Sequence, residues 1–309
     1  MRRKFWGMRL IILLALLITL SLIIGPAGFS FSISLRVRLP RILLGIFAGG
    51  ILSFTGASLQ GLLQNPLVDP YILGIASGAA FGYSIGLLLG LDPSILPVFG
   101  FLGGVFTMFL VYSIARIRGR LSKAGIILSG VIVSFLFSSL IMLLLVFSHK
   151  PLSQIIYILM GNLGFIFSKR TLTLFIIVAG LSIPALFGIY IHWRDLNILS
   201  TTEDVAKSLG VATDRLTRVI FVLSSLLTGF VVSFCGAISF IGLIVPHIIR
   251  LILGPDHSTL LPASFLLGAS LLLLSDLIAR SIAPVELPLS VVTSLFGVPF
   301  FIYLLKKRL

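Results

Sequence analysis

Apolar runs long enough to cross a bilayer recur along the whole chain, separated by short breaks rich in Gly, Pro or charge. They predict ten spanning helices, at about 8–25, 41–63, 71–90, 95–115, 124–147, 171–191, 218–236, 240–253, 262–281 and 287–305. Two of these are short or broken: Gly236, Gly242 and Pro246 interrupt one of them, and Asn65-Pro66 with Asp69-Pro70 makes a tight turn after another. Both places are read as packing devices, or as a polar path lined by Gln60, Gln64 and Asn65. The longest hydrophilic stretch runs from His192 to Arg218. Within it, Thr201 to Val211 predicts a short helix with Thr201 or Thr202 as N-cap, Glu203 and Asp204 in its first turn, and Gly210 as its stop. A second short helix is expected from about Thr213, with Asp214 in its first turn. A plain connection need not be this long, so the segment reads as a docking site for a partner.

Composition sharpens the class. Of 309 residues, 58% are hydrophobic and 10% charged, against about 25% charged in a typical soluble domain, so the fold expected is an all-α polytopic membrane protein, a single transmembrane domain over 1–309. The net charge of +14 suggests nucleic acid at first sight, but the basic residues lie between apolar runs and form no stripe. They read as topology signals. With the N-terminus in the cytoplasm, sixteen Lys and Arg fall inside, among them Arg116, Arg118, Arg120, Lys123, Lys207, Arg215, Arg218 and Arg250. Seven fall outside: Arg36, Arg38, Arg41, Lys150, Lys169, Arg170 and Arg280. Both termini are then cytoplasmic. The outer Arg36, Arg38, Arg41 and Arg280 meet either phospholipid headgroups or an acidic docking partner. Met1-Arg2-Arg3-Lys4 with the run Leu10 to Ile24 imitates a secretory leader, yet no Ala-x-Ala-like site follows, so an uncleaved first helix is expected.

The chain also resembles itself. A shift of 180 residues superposes Arg38 on Arg218, Gly49 on Gly229, Ser53-Phe54 on Ser233-Phe234, Gly56-Ala57 on Gly236-Ala237, Pro66 on Pro246 and Ile72-Leu73-Gly74 on Ile252-Leu253-Gly254. In the expected topology the two copies run in opposite directions, the inverted repeat of many transporters.

Residues for bond-making chemistry are missing. The sequence has no phosphate-binding Gly-x-x-x-x-Gly-Lys-Ser/Thr loop and no His-Glu-x-x-His pair. His149, His192, His247 and His257 are dispersed, and read as structural groups before metal ligands. Cys235 is alone in an apolar run, so no internal disulfide can form. Of the nine acidic residues only Asp276 lies well inside a span, with Arg280 at i+4 as its expected partner. An ion-coupled carrier more often needs several such carboxylates, so uphill transport is expected to draw its energy from another subunit.

Several blocks carry a family likeness: Arg38-Leu39-Pro40-Arg41, Gly56-Ala57-Ser58-Leu59-Gln60-Gly61, Asn65-Pro66-Leu67-Val68-Asp69-Pro70, and Gly236 through His247. Gly254-Pro255-Asp256-His257, Asp276-Leu277-Ile278-Ala279-Arg280 and Glu286-Leu287-Pro288 complete it. In this order they resemble the iron-siderophore/cobalamin (vitamin B12) ABC importer permeases, the membrane subunits of type II importers. The resemblance implies a homodimer of ten-helix subunits in a bacterial or archaeal cell membrane, two cytoplasmic ATPase subunits and an external substrate-binding protein. ATP and Mg would belong to the ATPase, with no cofactor and no catalytic residue on this chain. It also implies that Arg38 and Arg280 meet acidic residues of the binding protein. Glu203, Asp204, Val205, Ala206, Lys207, Ser208, Leu209 and Gly210 correspond to the cytoplasmic coupling helix that sits on the ATPase. Ser122, Lys123 and Ala124 stand near the cytoplasmic gate of a pathway lined by the fifth and tenth helices, Lys123 where some members carry a small hydroxyl residue. The cargo implied is an iron-siderophore, haem or cobalamin-type chelate. A molybdate or oxyanion permease of the same fold and a solitary ion-coupled carrier are the alternatives.

Overall fold

The computed structural model describes residues 2–25, 30–117, 119–147, 159–165, 167–282 and 285–308. Twelve helices carry nearly all of it: α1 Arg2–Ile23, α2 Phe31–Leu63, α3 Ile75–Leu88, α4 Leu96–Ala115, α5 Lys123–Phe147, α6 Lys169–Tyr190, α7 Trp193–Leu199, α8 Glu203–Ser208, α9 Thr213–Cys235, α10 Ile241–Leu253, α11 His257–Ala279 and α12 Leu289–Arg308. Seven described helices are long and apolar enough to cross a membrane, and the shorter apolar α3, α10 and α12 complete the ten spans expected. A two-stranded antiparallel hairpin, Arg116–Ile117 with Arg120–Leu121, turns the chain between α4 and α5.

α2 is the axis of the bundle. It packs on α11 along a seam of small residues: a Cβ on Gly49 would stand 2.4 Å from the Gly268 carbonyl oxygen, and one on Gly268 1.9 Å from Ser53 Oγ. Without glycine at these places the helices could not approach so closely. Small residues matter here because lipid offers no hydrophobic drive for helix association, leaving dispersion to hold the contact. α10 is held the same way, with Gly56 facing the Gly242 carbonyl at 2.0 Å for a built Cβ.

The ends differ from expectation in three places. The first two arginines of the expected outer loop lie on helix, because α2 begins at Phe31 and passes through a π turn at Ser34–Arg38, where Leu39 N–H bonds Ser34 O. The wider turn precedes Pro40, which has no N–H to continue an ordinary ladder. The helix expected near Thr213 is continuous with the seventh span as α9, so the charged Asp214, Arg215 and Arg218 mark its polar first turns. A separate helix, α7, precedes α8. The break after α9 falls at Gly236 as read, an unwound 236–240 with left-handed backbone at Phe240 (φ +70°), but Gly242 and Pro246 do not interrupt a helix and lie inside α10.

α2 ends and α9 begins at the same face of the bundle, so the two similar segments do run in opposite directions. The likeness holds at the ends of the copies, where Gly74 (φ +75°) and Gly254 (φ +89°) both take the left-handed region. It fails in the middle, where Pro66 lies in a turn and Pro246 inside α10.

Candidate functional site

Two polar clusters stand at opposite ends of this bundle. At one end, the last turn of α1, the start of α2, the end of α11 and the approach to α12 meet. Arg41 is the centre: its Nε and Nη2 bond Asp276 Oδ1 at 2.9 and 2.8 Å, and Nη1 reaches Glu286 Oε1 at 2.8 Å. Arg280, the expected partner of Asp276, is farther, with Nε 3.6 Å from Oδ2. Helical spacing favours Arg280, but the α2–α11 seam carries a second guanidinium from 235 residues away into better alignment. Arg280 also donates to Ser21 O at 2.8 Å, and Arg38 to Leu22 O and Ile23 O at 2.7 and 2.8 Å. Both arginines therefore cap the carbonyl end of α1, where cations complement the helix dipole. Both are buried, at 4% and 5% exposure, whereas Arg36, Lys169 and Arg170 are exposed.

At the other end lie α7, α8, the hairpin and the starts of α5, α9 and α11. Thr202 caps α8, its Oγ1 accepting Val205 N–H at 3.4 Å, and Gly210 stops it at φ +83°. Ala206 is buried beneath the helix, while Val205 and Leu209 point outward, Leu209 at 64% exposure. Lys123 Nζ, at the first residue of α5, lies 3.2 Å from Glu203 Oε2 and 3.1 Å from Gln64 Oε1. Lys207 holds the other Glu203 oxygen at 2.9 Å. The hydrogen bond from Lys207, followed by that from Lys123, holds the Glu203 carboxyl below its ordinary range, and Glu203 in turn raises Lys207. Gln64, in left-handed backbone at the end of α2, also donates to Leu199 O. Ser122 Oγ accepts Gly125 N–H at 3.2 Å and opens α5, and Ala124 is exposed beside it. Arg120, Ser122, Lys123, Glu203, Lys207 and Asp214 line a cleft of about 450 Å³.

Gln60, Gln64 and Asn65, read as path-lining groups, border one cavity of about 420 Å³, in which Gln60 is itself buried, donating to the carbonyls of Val68, Gly242 and Leu243 and accepting from Arg250. His257 Nδ1 bonds Asn197 Oδ1 at 2.8 Å and His192 pairs with Asp195, while His149 and Lys150 lie outside the described residues. Among the described residues, no cluster of three His, Cys, Asp or Glu could hold a metal ion. Sequence reasoning missed Gln64 as a partner of Lys123 and Asn197 as a partner of His257, because both are contacts made only when distant elements pack.

The model of the FecCD transport family matches residues 10–307. The chain belongs to this family. It is 40% identical over 277 residues, 88% of this chain and 73% of the relative, to the cobalamin import system permease protein BtuC of Halobacterium salinarum. It is 38% identical, over 88% of this chain and 81% of the relative, to the molybdate import system permease protein MolB of Haemophilus influenzae. Among solved structures, an inward-facing metal-chelate type ABC transporter superposes with a TM-score of 0.87 at 36% identity, covering 99% of both chains. A FecCD-family chain of this build is a multi-pass cell-membrane protein, the permease subunit of an ATP-binding-cassette importer.

Proposed function

We propose that this permease carries metal chelates of the iron-siderophore, haem or cobalamin type inward, as a homodimer bound to two ATPase subunits and served by an external binding protein. The observation that carries the reading is the shape of the α8 end: a capped, glycine-terminated helix that presents Val205 and Leu209 outward. A separate ATPase holds that helix, and residues Glu203 to Gly210 form the coupling segment. The α8 end is cytoplasmic, as are both termini, in keeping with the excess of basic residues on that side. At the outer end, acidic groups of the binding protein meet Arg38 and Arg280, which give up α1 carbonyls to reach them. The gate lies at Ser122, Lys123 and Ala124, where α5 starts. α5 exposes Leu128, Ile132, Phe135 and Met142 along one side, a surface suited to a second copy or to lipid. Capture of Asp276 by Arg41 speaks against a proton- or ion-coupled carrier, which needs a carboxylate free to change its charge.

A second reading, molybdate import, draws on the 38% identity to MolB. One experiment separates the two. Proteoliposomes with this chain, its ATPase and its binding protein are offered ferrichrome, haem, cyanocobalamin and molybdate in parallel. A chelate accumulated only with ATP at the α8 side is the expected result. Molybdate uptake alone moves the chain to the second reading, and uptake that follows an ion gradient without ATP overturns both. Gly210→Trp, forced into left-handed backbone, is expected to uncouple hydrolysis from uptake.

A further inference from the structure

α8 is a helix of six residues, too short to hold its place by itself. Its buried anchor, Ala206, packs at its own base, and its ionic attachment to the body of the bundle passes through Glu203. Glu203 faces two lysines. Lys207 stands on the same helix, and Lys123 stands on the first residue of α5. Lys123 has a stand-in of its own, Gln64 Oε1 at 3.1 Å, and Gln64 is fixed at the end of α2 with its amide on Leu199 O. If α8 draws away from α5, Glu203 keeps Lys207 and Lys123 keeps Gln64, so neither charge is left alone. A link whose members both have a second partner can break and re-form at little cost, because no group meets the full penalty of losing its only hydrogen bond.

The position of the link matters as much as its reversibility. Ser122 N–H bonds Ala115 O, which ties the foot of α5 to the end of α4 through the hairpin. Lys123 is the next residue, 19% exposed at the side chain, so the ion pair pulls on the first turn of the helix that opens the gate.

We propose that the Lys123–Glu203 pair, seated on Gln64, is the positioning contact that passes the movement of the coupling helix to the start of α5, so that access through the bundle follows the ATPase cycle. The inference rests on the coupling role proposed above for α8. The alternative is a surface ion pair that only decorates two helices, which would be worth little.

The test is a double-mutant cycle in the complete complex in proteoliposomes, using whichever compound of the uptake panel wild type imports. The quantity read is ATP hydrolysed per molecule imported, together with the amount of ATPase that copurifies. Lys123→Met and Glu203→Gln are each expected to raise the ratio about two- to fivefold, with the double variant no worse than the worse single one. Lys123→Arg, which keeps the charge, is expected to restore coupling. Copurification stays at the wild-type level in all four, which separates lost transmission from lost assembly. Unchanged ratios, or single effects that multiply in the double variant, overturn the inference while ATP-driven uptake by wild type leaves the transport reading standing. Wild type that imports nothing with ATP overturns the transport reading itself and this inference with it.

Discussion

The two polar clusters use the same chemistry, a cationic side chain against a carboxylate, in opposite surroundings. At the Arg41 end, Asp276 is almost wholly enclosed and is taken by a guanidinium that also reaches Glu286. At the α8 end, Glu203 is about two-fifths exposed at its side chain and shared between two lysines. Coulomb attraction grows as water is excluded, and so does the cost of losing a partner. A buried carboxylate whose Oδ1 is held by two N–H groups of one guanidinium therefore fixes one arrangement. A hydrated pair with spare partners can be exchanged on the timescale of a transport cycle. The difference agrees with the roles proposed above: the α2–α11 seam with Arg41 is the part proposed to stay together, and α8 with the foot of α5 the part proposed to move.

Three changes break or sharpen this contrast, in falling order of effect. Arg41→Met leaves the buried Asp276 carboxylate with only the longer contact to Arg280 and is expected to cost about 3 kcal/mol, read as a large drop in the detergent unfolding temperature. Adding Asp276→Asn removes the stranded charge and recovers much of that loss; a double variant as weak as the single one would contradict the assignment. Gly56→Ala drives a methyl into the Gly242 carbonyl, at 2.0 Å, and is expected to cost about 1–3 kcal/mol in the same assay. Gly180→Ala, with open space around it, is the neutral comparison.

The smallest effect is that of acid. Because the hydrogen bonds from Lys207 and Lys123 lower the Glu203 carboxyl below its ordinary value of 4.5, the stability it gives α8 is present above that value and fades as pH falls through the folded one. Amide protection on α8 is expected to drop by a few-fold between about pH 6 and pH 3.5, with α2 protection unaffected. Equal loss in both helices would erase the distinction between them.

Much of this could be read before any coordinates. Ten apolar runs announce ten helices, since hydrogen-bonded helix is the form a chain can take in lipid without sheet closure. Thr202 and Gly210 bracket α8 because caps are local chemistry, legible within a few residues. What failed was of another kind. Arg36, Arg38 and Pro40 looked like a loop, because charge and proline punctuate helices in isolation, and only the carbonyl end of α1 supplies a reason for Arg38 to lie on helix. Asp276 does pair with Arg280, as its spacing suggested, but its closer partner Arg41 was missed, because spacing along a helix cannot register a residue 235 positions away. Lys123 looked merely unusual, and its partners Gln64 and Glu203 come from elements 59 residues before it and further along the chain after it. Local rules reach helices and caps; ionic partners chosen by packing lie beyond them.

The most direct test of the account is a cross-link. Leu209, exposed at the C-cap of α8, is replaced by cysteine in a chain whose buried Cys235 is changed to alanine, and Ile282, exposed at the opposite end, is replaced in a second chain. Each is treated with a short bifunctional reagent in the complete importer. The account expects Leu209→Cys to join to the ATPase subunit, with a yield that changes when ATP binds, and Ile282→Cys to leave the ATPase untouched. Cross-linking of the ATPase through position 282, or none through position 209 in an active complex, would contradict the assignment of α8 as the surface through which ATP drives transport.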